Sequence, residues 1–358
     1  MVVQPRVRRL TVSNFRGLAH TEWWPAEGMN IIIGGGDSGK STLLHALSLL
    51  FSPTNAVQLL ETDYYNRLLE PGFTIEATIS LPEDIGLANF QQALWPWEWD
   101  GEKAVLPDNE REGALRDPVY IFQLVGTSDL DLVWQIIQPN LEPVSLSTGL
   151  RRRVGIVRLA NDDRNDRDLR LVSGSALDRL LSKGNLKSRI SKEVSAADLS
   201  NAMTEDEQLS LETLDKSMAA AGLPSGLDIG LTSSQGLSIG ALVGLLAEKT
   251  GTLLPVSSWG AGTRRMAALE IARATEASTR LTVIDEIERG LEPYRLRQLL
   301  ETLSVDEQQC FVTTHSPVVL AAAKKAALWY IDGSGRVGRL PQDKIARQQS
   351  RDPETFLS

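Results

Sequence analysis

The sequence predicts an α/β fold in which a mixed sheet carries a phosphate-binding loop. Three observations lead to this prediction. The glycine-rich stretch GGGDSGKST, at residues 34–42, directly follows the apolar run MNIIIG. Strand and helix patterns alternate again from residue 280 to residue 332. Between these regions, residues 73–139 carry the patterns of antiparallel strands, which indicates a β subdomain beside the sheet that holds the loop.

The first predicted strand lies in VRRLTVSNFRGL, where the apolar residues Val7, Leu10 and Val12 alternate with polar ones. The next apolar strand, Asn30–Ile33, leads into the glycine-rich stretch. A helix is predicted over Ser41–Leu50, so the stretch has a buried strand before it and a helix after it. A glycine-rich turn that fits the loop pattern by chance would not explain both neighbours.

The glycine-rich stretch fits G-x-x-x-x-G-K-[ST], the pattern of a phosphate-binding loop. Glycines let the backbone N–H groups turn inward, and the following helix adds its positive N-terminal end. Lys40 is expected to contact the β- and γ-phosphates, and the Ser41 hydroxyl is expected to bind Mg²⁺. The predicted nucleotide-binding residues of the loop are Gly34, Gly35, Gly36, Asp37, Ser38, Gly39, Lys40, Ser41 and Thr42.

The β subdomain is predicted from FTIEATISLP (73–82) and PVYIFQLVGTSDLDLVWQIIQP (118–139). The second segment is interpreted as a hairpin that turns near residues 126–129. Between the two segments, Trp95, Trp97 and Trp99 stand in a polar stretch. They either form a partner-binding patch or cap the sheet from a long loop, and capping is favoured because clustered aromatic side chains usually pack.

Residues from about 160 to 250 are predicted to be helical, with helices in SALDRLL (175–181) and TEDEQLSLETLDKSMAAAG (204–222). In the second helix Thr204 and Glu207 form a capping box. Its apolar stripe consists of Leu211, Leu214, Met218 and Ala221. The stripe predicts either a helix that faces the core or a surface that meets a second copy of the chain.

The segment SSWGAGTRRMAALEIARA (257–274) places a small-residue turn, Gly260–Thr263, at the start of a predicted helix. Because helix N-termini bind anions, this turn is interpreted as a second phosphate-binding device. Two such devices cannot readily serve one nucleotide within one chain. We therefore expect the turn to meet the γ-phosphate bound to another subunit, with a plain helix cap as the alternative.

The C-terminal part is predicted to alternate strands and helices. The strands are RLTVIDE (280–286), CFVTTHS (310–316) and ALWYID (327–332), and the helices are YRLRQLLETLS (294–304) and PVVLAAAKKA (317–326). Asp285 and Glu286 close the first of these strands. Asp285 is expected to hold Mg²⁺ together with Ser41, and Glu286 to orient and polarise an attacking water. His315, one strand later, is expected to touch the γ-phosphate.

Composition excludes several classes of protein. The 358 residues are 42% hydrophobic and carry a net charge of −9, which argues against a general nucleic-acid coat. The densest basic stretches are Arg151–Arg153 and residues 162–171. The alternating arginines and aspartates of the second stretch are interpreted as an ion-paired surface or interface, in preference to a DNA contact. No apolar run approaches the ~18 residues of a membrane span, and the N-terminus lacks the apolar segment of a secretory signal. The single cysteine, Cys310, fits a reducing cytoplasm.

Taken in order, the phosphate loop, the glycine-rich turn, TVIDEIERGLEP and TTHSP resemble the ABC-type ATPases of the SMC/RecF group. The opening LTVSNFRGL is typical of the same group. More narrowly, DEIERGLEP and TTHSPVVL are similar to the OLD-family nucleases (overcoming lysogenization defect), to which the Gabija defence nuclease belongs. The resemblance implies an ABC-type ATPase head with an inserted helical dimerisation region, a homodimer, ATP and Mg²⁺ as cofactors, and a Toprim nuclease domain after the ATPase half.

The resemblance also assigns roles to residues. Residues 34–42 become the Walker A loop, Asp285 and Glu286 the Walker B pair, residues 290–293 the D-loop and His315 the switch histidine. Arg16 matches the N-F-R arginine and is expected near the nucleotide. The signature is assigned to Gly260, Gly262 and Thr263, with Ser258 as an alternative anchor. The sequence has no clear Q-loop glutamine, since Gln123 lies in the hairpin, and Asp63 is the candidate for that position.

The resemblance predicts a division into an N-terminal ATPase lobe (1–158), an inserted helical region (159–252), a C-terminal ATPase lobe (253–340) and a polar connector (341–358). The Toprim domain is expected to be absent from this chain. The pairs Asp129/Asp131 and Asp166/Asp168 form D-x-D strings, but neither follows a strand as a Toprim site requires, so both are interpreted as structural. No nuclease activity is therefore expected from this chain.

The leading hypothesis is an ATPase module that dimerises and regulates a DNA-processing nuclease, with an anti-phage or repair role. DNA is expected to bind through the absent Toprim domain, or weakly to this chain. The alternatives are a stand-alone RecF-like repair ATPase and, less favoured, the ATP-binding subunit of an ABC transporter. The N-F-R-G opening and the lack of a Q-loop argue against the transporter.

Overall fold

The structure is a computed structural model. It describes residues 4–82, 85, 94–107, 117–159, 167–172, 175–181, 186, 189–190, 204–206, 208–209, 212–213, 216, 243–249, 251–274, 281–305 and 308–341. The described chain divides into two compact units. One comprises Met1–Asn165 with Gly260–Ser358, and the other comprises Asp166–Trp259. The first unit therefore contains both the glycine-rich loop and the acidic strand end.

The elements of the first half of the chain are β1 (Arg6–Phe15), β2 (Leu18–Trp23), β3 (Met29–Ile33), α1 (Lys40–Leu50), β4 (Phe73–Ser80), β5 (Trp97–Trp99), β6 (Ala104–Val105), β7 (Pro118–Gly126), β8 (Leu132–Ile137), β9 (Val144–Ser145), α2 (Thr148–Val154) and β10 (Ile156–Leu159). The later elements are α3 (Ala176–Leu180), β11 (Leu246–Lys249), β12 (Thr252–Pro255), α4 (Ala261–Ala274), β13 (Leu281–Ile284), α5 (Pro293–Val305), β14 (Cys310–Thr313), α6 (Pro317–Ala322), β15 (Ala327–Ile331) and β16 (Val337–Arg339).

The central sheet has the strand order β10-β13-β14-β3-β15-β16. Its neighbouring strands run parallel except for the β15–β16 pair. Every residue of β3, β13 and β14 is buried. Continuous apolar runs of this kind are typical of parallel strands that are covered on both faces. Because these strands are parallel, the residues that follow them lie at one edge of the sheet.

The second sheet is antiparallel and follows the order β2-β1-β4-β7, with β5 and β6 continuing from β7 and with β8 and β9 on a branch. The predicted hairpin is confirmed, since β7 and β8 pair antiparallel and the chain turns between Gly126 and Leu132. Strand β2 was not predicted. Its sequence LAHTEW buries only Leu18, Thr21 and Trp23, so it lacks the continuous alternation that revealed β1.

The tryptophan segment differs from its predicted form. Trp97–Trp99 is a strand rather than part of a long loop, and Trp97 pairs with Val119 of β7. The Trp97 indole N–H donates to the carbonyl oxygen of Ile137 at 2.8 Å. Trp95 is 58% exposed. The alternation of Trp97, Glu98 and Trp99 therefore marks a short strand at the side of the antiparallel sheet.

Helix α1 contacts both sheets of the first unit, namely β1, β4 and β7 of the antiparallel sheet and β13 and β14 of the central sheet. Its Leu43, Leu44, Leu47 and Leu50 are all buried. Burial of a leucine side chain contributes roughly 1.5–3 kcal/mol. This apolar helix therefore fixes the position of the glycine-rich loop at its N-terminal end.

A buried glutamine joins the two sheets. The Gln309 side chain accepts from the backbone N–H of Val7 at 2.8 Å and donates to the Val7 carbonyl oxygen at 3.0 Å. It also donates to the carbonyl oxygen of Ala26 at 2.8 Å. Nearby, Trp23 of β2 contacts Phe311 and Trp329 of the central sheet edge-on. The antiparallel sheet is thus held to the central sheet by one shared core.

The basic stretch Arg151–Arg153 contacts main-chain oxygens. Arg151 donates to the carbonyl oxygen of Ser52, Arg152 to that of Pro53 and Arg153 to that of Ile85. Arg151 is buried, and its guanidinium lies 4.2 Å from the Trp134 ring. These arginines tie α2 to neighbouring loops.

The second unit contains α3 and the β11–β12 hairpin. The predicted apolar stripe of Leu211, Leu214, Met218 and Ala221 lies outside the described residues, as does Glu207 of the predicted capping box. In the described part of the chain, no helix has both the length and the apolar character that a membrane crossing requires.

Candidate nucleotide-binding and hydrolysis site

The glycine-rich loop connects β3 to α1 and is shaped by close packing at both ends. Gly39 caps the helix with a φ of 98°, and a Cβ atom there would lie 2.6 Å from the Leu18 side chain. At Gly34 a Cβ atom would lie 2.5 Å from the carbonyl oxygen of Ile331. Only glycine fits these two positions, so the neighbouring strands β2 and β15 fix the loop in place.

Lys40 is the first residue of α1 and is only 6% exposed. Its ammonium group donates to the carbonyl oxygens of Gly34 at 2.9 Å and Gly35 at 2.6 Å. Burial lowers the pKa of Lys40, and the nearby carboxylates of Asp285, Glu286 and Asp37 act in the opposite direction. Lys40 is thus a cation that is held by the carbonyl oxygens of the loop and has three carboxylates nearby.

Ser41 and Asp285 meet across the edge of the central sheet. The Ser41 hydroxyl donates to Asp285 Oδ1 at 3.0 Å, although the two residues are 244 positions apart. The Thr313 hydroxyl donates to the same oxygen at 2.6 Å. A hydroxyl and a carboxylate are hard oxygen donors, and Mg²⁺ is bound by such ligands beside phosphates. The residues present therefore fit a Mg²⁺ ion held by Ser41 and Asp285.

Glu286 lies in a strained turn directly after β13. Its φ is 48°, a conformation that costs a non-glycine residue about 1–3 kcal/mol. Its backbone N–H donates to the Thr313 hydroxyl at 2.8 Å, and the backbone N–H of Ile287 donates to the Thr313 carbonyl oxygen at 3.1 Å. These two hydrogen bonds hold the turn against β14 and keep Glu286 in its strained conformation.

Two residues that shape this site were missed by the sequence analysis. Thr313 contacts both Asp285 and Glu286, as described above. Glu288 accepts from the Thr314 hydroxyl and from the backbone N–H of His315, each at 2.7 Å. The available signal was the TT pair in TTHS, which was quoted only for its histidine. Glu288 thus fixes the backbone of His315, whose side chain is exposed.

The predicted signature residues Gly262 and Thr263 form the first turn of α4. A Cβ atom at Gly262 would lie 2.2 Å from the Gly290 carbonyl oxygen. The Thr263 hydroxyl accepts from Arg295 of α5 at 3.2 Å. The close approach of α4 to the turn at residue 290 therefore explains why position 262 is a glycine.

This contact gives a testable prediction for stability. Gly262→Ala should lower the free energy of unfolding by about 1–3 kcal/mol, because the added methyl group overlaps a main-chain oxygen and either α4 or the turn must shift. Denaturant unfolding followed by circular dichroism measures the change. Gly260→Ala is the matched control, since a Cβ atom there meets nothing within 4 Å. Equal stability of the two variants would contradict the packing role.

Arg16 lies beside α1. Its guanidinium donates to Asp63 Oδ1 at 2.9 Å, and its Nη2 lies 3.3 Å from His45 Nε2. His45 stands one helical turn after Ser41. Asp63, the candidate for the Q-loop position, is thus the partner of Arg16. Gln123, in β7, donates to Glu76 at 3.0 Å and accepts from Gln135 at 2.6 Å, within the antiparallel sheet.

The remaining predicted residues are placed elsewhere. Ser258 belongs to the second unit, where its hydroxyl donates to the Pro255 carbonyl oxygen. Asp129 and Asp131 lie in the turn of the β7–β8 hairpin. Asp168 accepts from the backbone N–H of Ala176 at the start of α3, and burial raises its pKa. Asp166 lies outside the described residues. Within the described part of the chain, no group of three or more His, Cys, Asp or Glu residues is arranged to hold a metal ion.

Comparison with known proteins bears on this arrangement. The model of the family described as "AAA domain, putative AbiEii toxin, Type IV TA system" matches residues 29–321. The DNA repair protein RecN of Mycobacterium leprae (strain TN) is 28% identical over 240 residues, which is 63% of this chain and 40% of that protein. An uncharacterized ABC transporter ATP-binding protein of Thermotoga maritima is 32% identical over 143 residues, 37% of this chain and 53% of that protein. The chain thus spans about half the length, or less, of these relatives.

Among solved structures, the Smc head domain from Pyrococcus furiosus, with an extended coiled coil and bound to the C-terminal domain of ScpA, superimposes with a TM-score of 0.51. The superposition covers 97% of this chain and 99% of that chain at 13% sequence identity. At this identity the likeness shows the fold alone. It confirms the predicted α/β ATPase-head fold, with its mixed sheet and its antiparallel β subdomain.

Proposed function

The chain belongs to the family described as "AAA domain, putative AbiEii toxin, Type IV TA system", and from this premise we propose that it is an ABC-type module that binds ATP, hydrolyses it and dimerises around it. The observation that carries the proposal is the meeting of Lys40, Ser41 and Asp285 at one edge of the central sheet. A phosphate loop and an acidic strand end from distant parts of the chain supply there the groups that phosphoryl transfer requires.

In the proposed mechanism, Lys40 turns from the loop carbonyls to the β- and γ-phosphates, and the loop N–H groups bind the phosphate oxygens. Ser41 and Asp285 would hold Mg²⁺, which would neutralise charge that develops on those oxygens. Glu286 orients the attacking water and accepts its proton. His315 contacts the γ-phosphate from the neighbouring strand end.

The dimer is proposed from the start of α4. Gly260, Gly262 and Thr263 open a fourteen-residue helix, and helix N-termini attract anions. Gly260 has open space around it, so a phosphate could approach the backbone there. The proposed second nucleotide contact comes from this turn of a second copy, with Ser258 as an alternative anchor. Arg16, which contacts His45 one helical turn after Ser41, is proposed to lie near the nucleotide.

The biological setting is the finer part of the proposal. The similarity of DEIERGLEP and TTHSPVVL to the OLD-family nucleases supports a module that regulates a DNA-processing nuclease, in an anti-phage or repair role. The proposed division keeps an inserted dimerisation region between the two ATPase lobes and a polar segment over residues 341–358, of which residues 342–358 lie outside the described part of the chain.

A second candidate is a stand-alone repair ATPase that binds DNA without cutting it. The 28% identity to the DNA repair protein RecN over 63% of the chain favours this alternative. The two candidates share the ATPase chemistry and differ in what the ATPase controls. DNA should stimulate hydrolysis several-fold if the chain itself is the DNA-binding repair ATPase.

One experiment tests both the proposed ATPase activity and the proposal that the nuclease activity lies outside this chain. The purified chain is incubated with ATP and Mg²⁺, with and without supercoiled plasmid, and both phosphate release and plasmid nicking are followed. We expect ATP hydrolysis without nicking, also when Mn²⁺ replaces Mg²⁺, and only weak, salt-sensitive binding of DNA because the chain is acidic. Nicking that follows the protein through purification would overturn the assignment of the nuclease to another domain. A chain that binds and hydrolyses no ATP would overturn the proposed function itself.

A further inference from the structure

A buried arginine of α4 spans the turn that carries Glu286. Arg265 is only 3% exposed. Its Nη2 donates to the carbonyl oxygen of Asp285 at 2.6 Å, and its Nη1 donates to the carbonyl oxygen of Arg289 at 3.2 Å. These two carbonyls stand at the beginning and the end of the turn. One guanidinium group therefore brackets the backbone that holds Glu286 and Glu288.

The electrostatic surroundings explain how a buried cation is tolerated here. Burial lowers the pKa of Arg265, while Glu288, Asp285 and Glu286 act in the opposite direction. Its Nε has no hydrogen-bond partner within the described part of the chain. A buried charge is often no more stabilising than an apolar side chain of similar volume. The guanidinium is thus poorly explained as a simple stabiliser of the fold, and its two main-chain contacts point to a positioning role.

Helix α4 touches the same turn at a second point. Gly262 approaches the carbonyl oxygen of Gly290 so closely that no side chain fits between them. Gly262 and Arg265 are three residues apart and therefore lie on one face of the helix. The first two turns of α4 thus contact residues 285–290 at both ends.

We propose that Arg265 is a positioning residue that transmits the position of the start of α4 to the Glu286 carboxylate. The inference rests on the proposed function, in which α4 opens with the turn that meets the nucleotide of a second copy. When that nucleotide engages the turn, Arg265 draws the Asp285–Arg289 backbone with the helix and places Glu286 for reaction with water. Hydrolysis is thereby tied to dimer engagement, because the catalytic carboxylate is set by the same helix that binds the partner's phosphate.

The chemistry of the side chain makes this role specific to arginine. Two Nη atoms of a planar guanidinium can bond two carbonyl oxygens at once. A lysine ammonium is a single donor atom on a flexible stem, and it cannot reach both ends of the turn in the same way. Arg265→Lys should therefore keep the charge while losing the bracket.

The test compares Arg265→Met and Arg265→Lys with Arg297→Met, a control at an exposed arginine of α5. We expect kcat to fall roughly ten- to a hundredfold in both Arg265 variants, because a misplacement of about 1 Å in a catalytic group can cost about a hundredfold. Affinity for a non-hydrolysable ATP analogue should stay within about twofold, since Lys40 and Ser41 are not touched. Arg297→Met should behave as wild type.

Chemical rescue separates positioning from general support of the fold. In Arg265→Ala, millimolar guanidinium or methylguanidinium should restore part of kcat, and the same salts should leave the Arg297→Met control unchanged. Unaltered kcat in both Arg265 variants, or a loss of ATP affinity and melting temperature in step with kcat and without rescue, would overturn the inference. If Arg265→Met does not fold, Arg265→Lys keeps the buried charge and decides the question. A wild-type chain without ATPase activity would instead overturn the proposed function.

Discussion

Glu286→Gln is expected to leave ATP bound while lowering its turnover by roughly 10²–10⁴-fold, the usual contribution of a positioned general base. The substitution keeps the shape of the side chain and removes only the carboxylate that polarises the attacking water. The turn should survive, because its contact with Thr313 is made by the backbone N–H of residue 286. The Ser41–Asp285 contact is also retained. Phosphate release and calorimetric binding of ATP measure the two effects separately.

The same variant tests the proposed dimer. If a second copy completes the site, slow hydrolysis should let an ATP-bound dimer accumulate, and light scattering with and without ATP should show the change in mass. Glu301→Gln, at an exposed position of α5, is the matched control and should hydrolyse ATP normally. Wild-type turnover in Glu286→Gln would remove the catalytic role from this residue. An identical mass with and without ATP would contradict nucleotide-dependent dimerisation.

Lys40→Ala should reduce affinity for ATP by at least roughly tenfold. A charge-assisted hydrogen bond is worth about 1.5–3 kcal/mol, and about 1.4 kcal/mol corresponds to one decade in affinity. In the structure the ammonium group bonds Gly34 and Gly35, so it is already held inside the loop where the phosphates would bind. Isothermal calorimetry with a non-hydrolysable analogue measures the loss.

Lys324→Ala is the control for this prediction, because Lys324 is an exposed lysine that follows α6. Thermal melting of both variants shows whether the loop variant still folds. Unchanged affinity in a folded Lys40→Ala protein would refute the assignment of residues 34–42 as a phosphate-binding loop.

The sequence predicts well those parts of the fold whose residues are neighbours in the chain. The buried strand, the glycines and the apolar helix around Lys40 are neighbours in the chain, so their spacing already defines the loop. Strands β2 and β5 were missed because both are short and half-buried. LAHTEW is the second arm of a hairpin with β1, and WEW becomes a strand through the pairing of Trp97 with the distant Val119.

The residues that shape the site show the same division. Asp285 and Glu286 were predicted because two acids end an apolar strand. Thr313 and Arg265 were not, since a threonine in a strand and an arginine in a helix have no distinctive pattern of their own. Their roles come from contacts with residues 28 and 20 positions away. Gly262 was predicted as a phosphate contact, and its packing against Gly290 could not be read from the sequence.

The place of β3 between β14 and β15 has a consequence for how the protein is made. The strand that leads into the glycine-rich loop is synthesised well before its two neighbours, Cys310–Thr313 and Ala327–Ile331. At about 5–20 residues per second, the roughly 280 residues from Ile33 to Cys310 take a ribosome roughly 14–55 s. During that time both edges of an apolar strand lack their partners, which is the state in which nascent chains aggregate. The candidate nucleotide site therefore forms only after residue 331 has been synthesised, and the chain is expected to need chaperone protection until then.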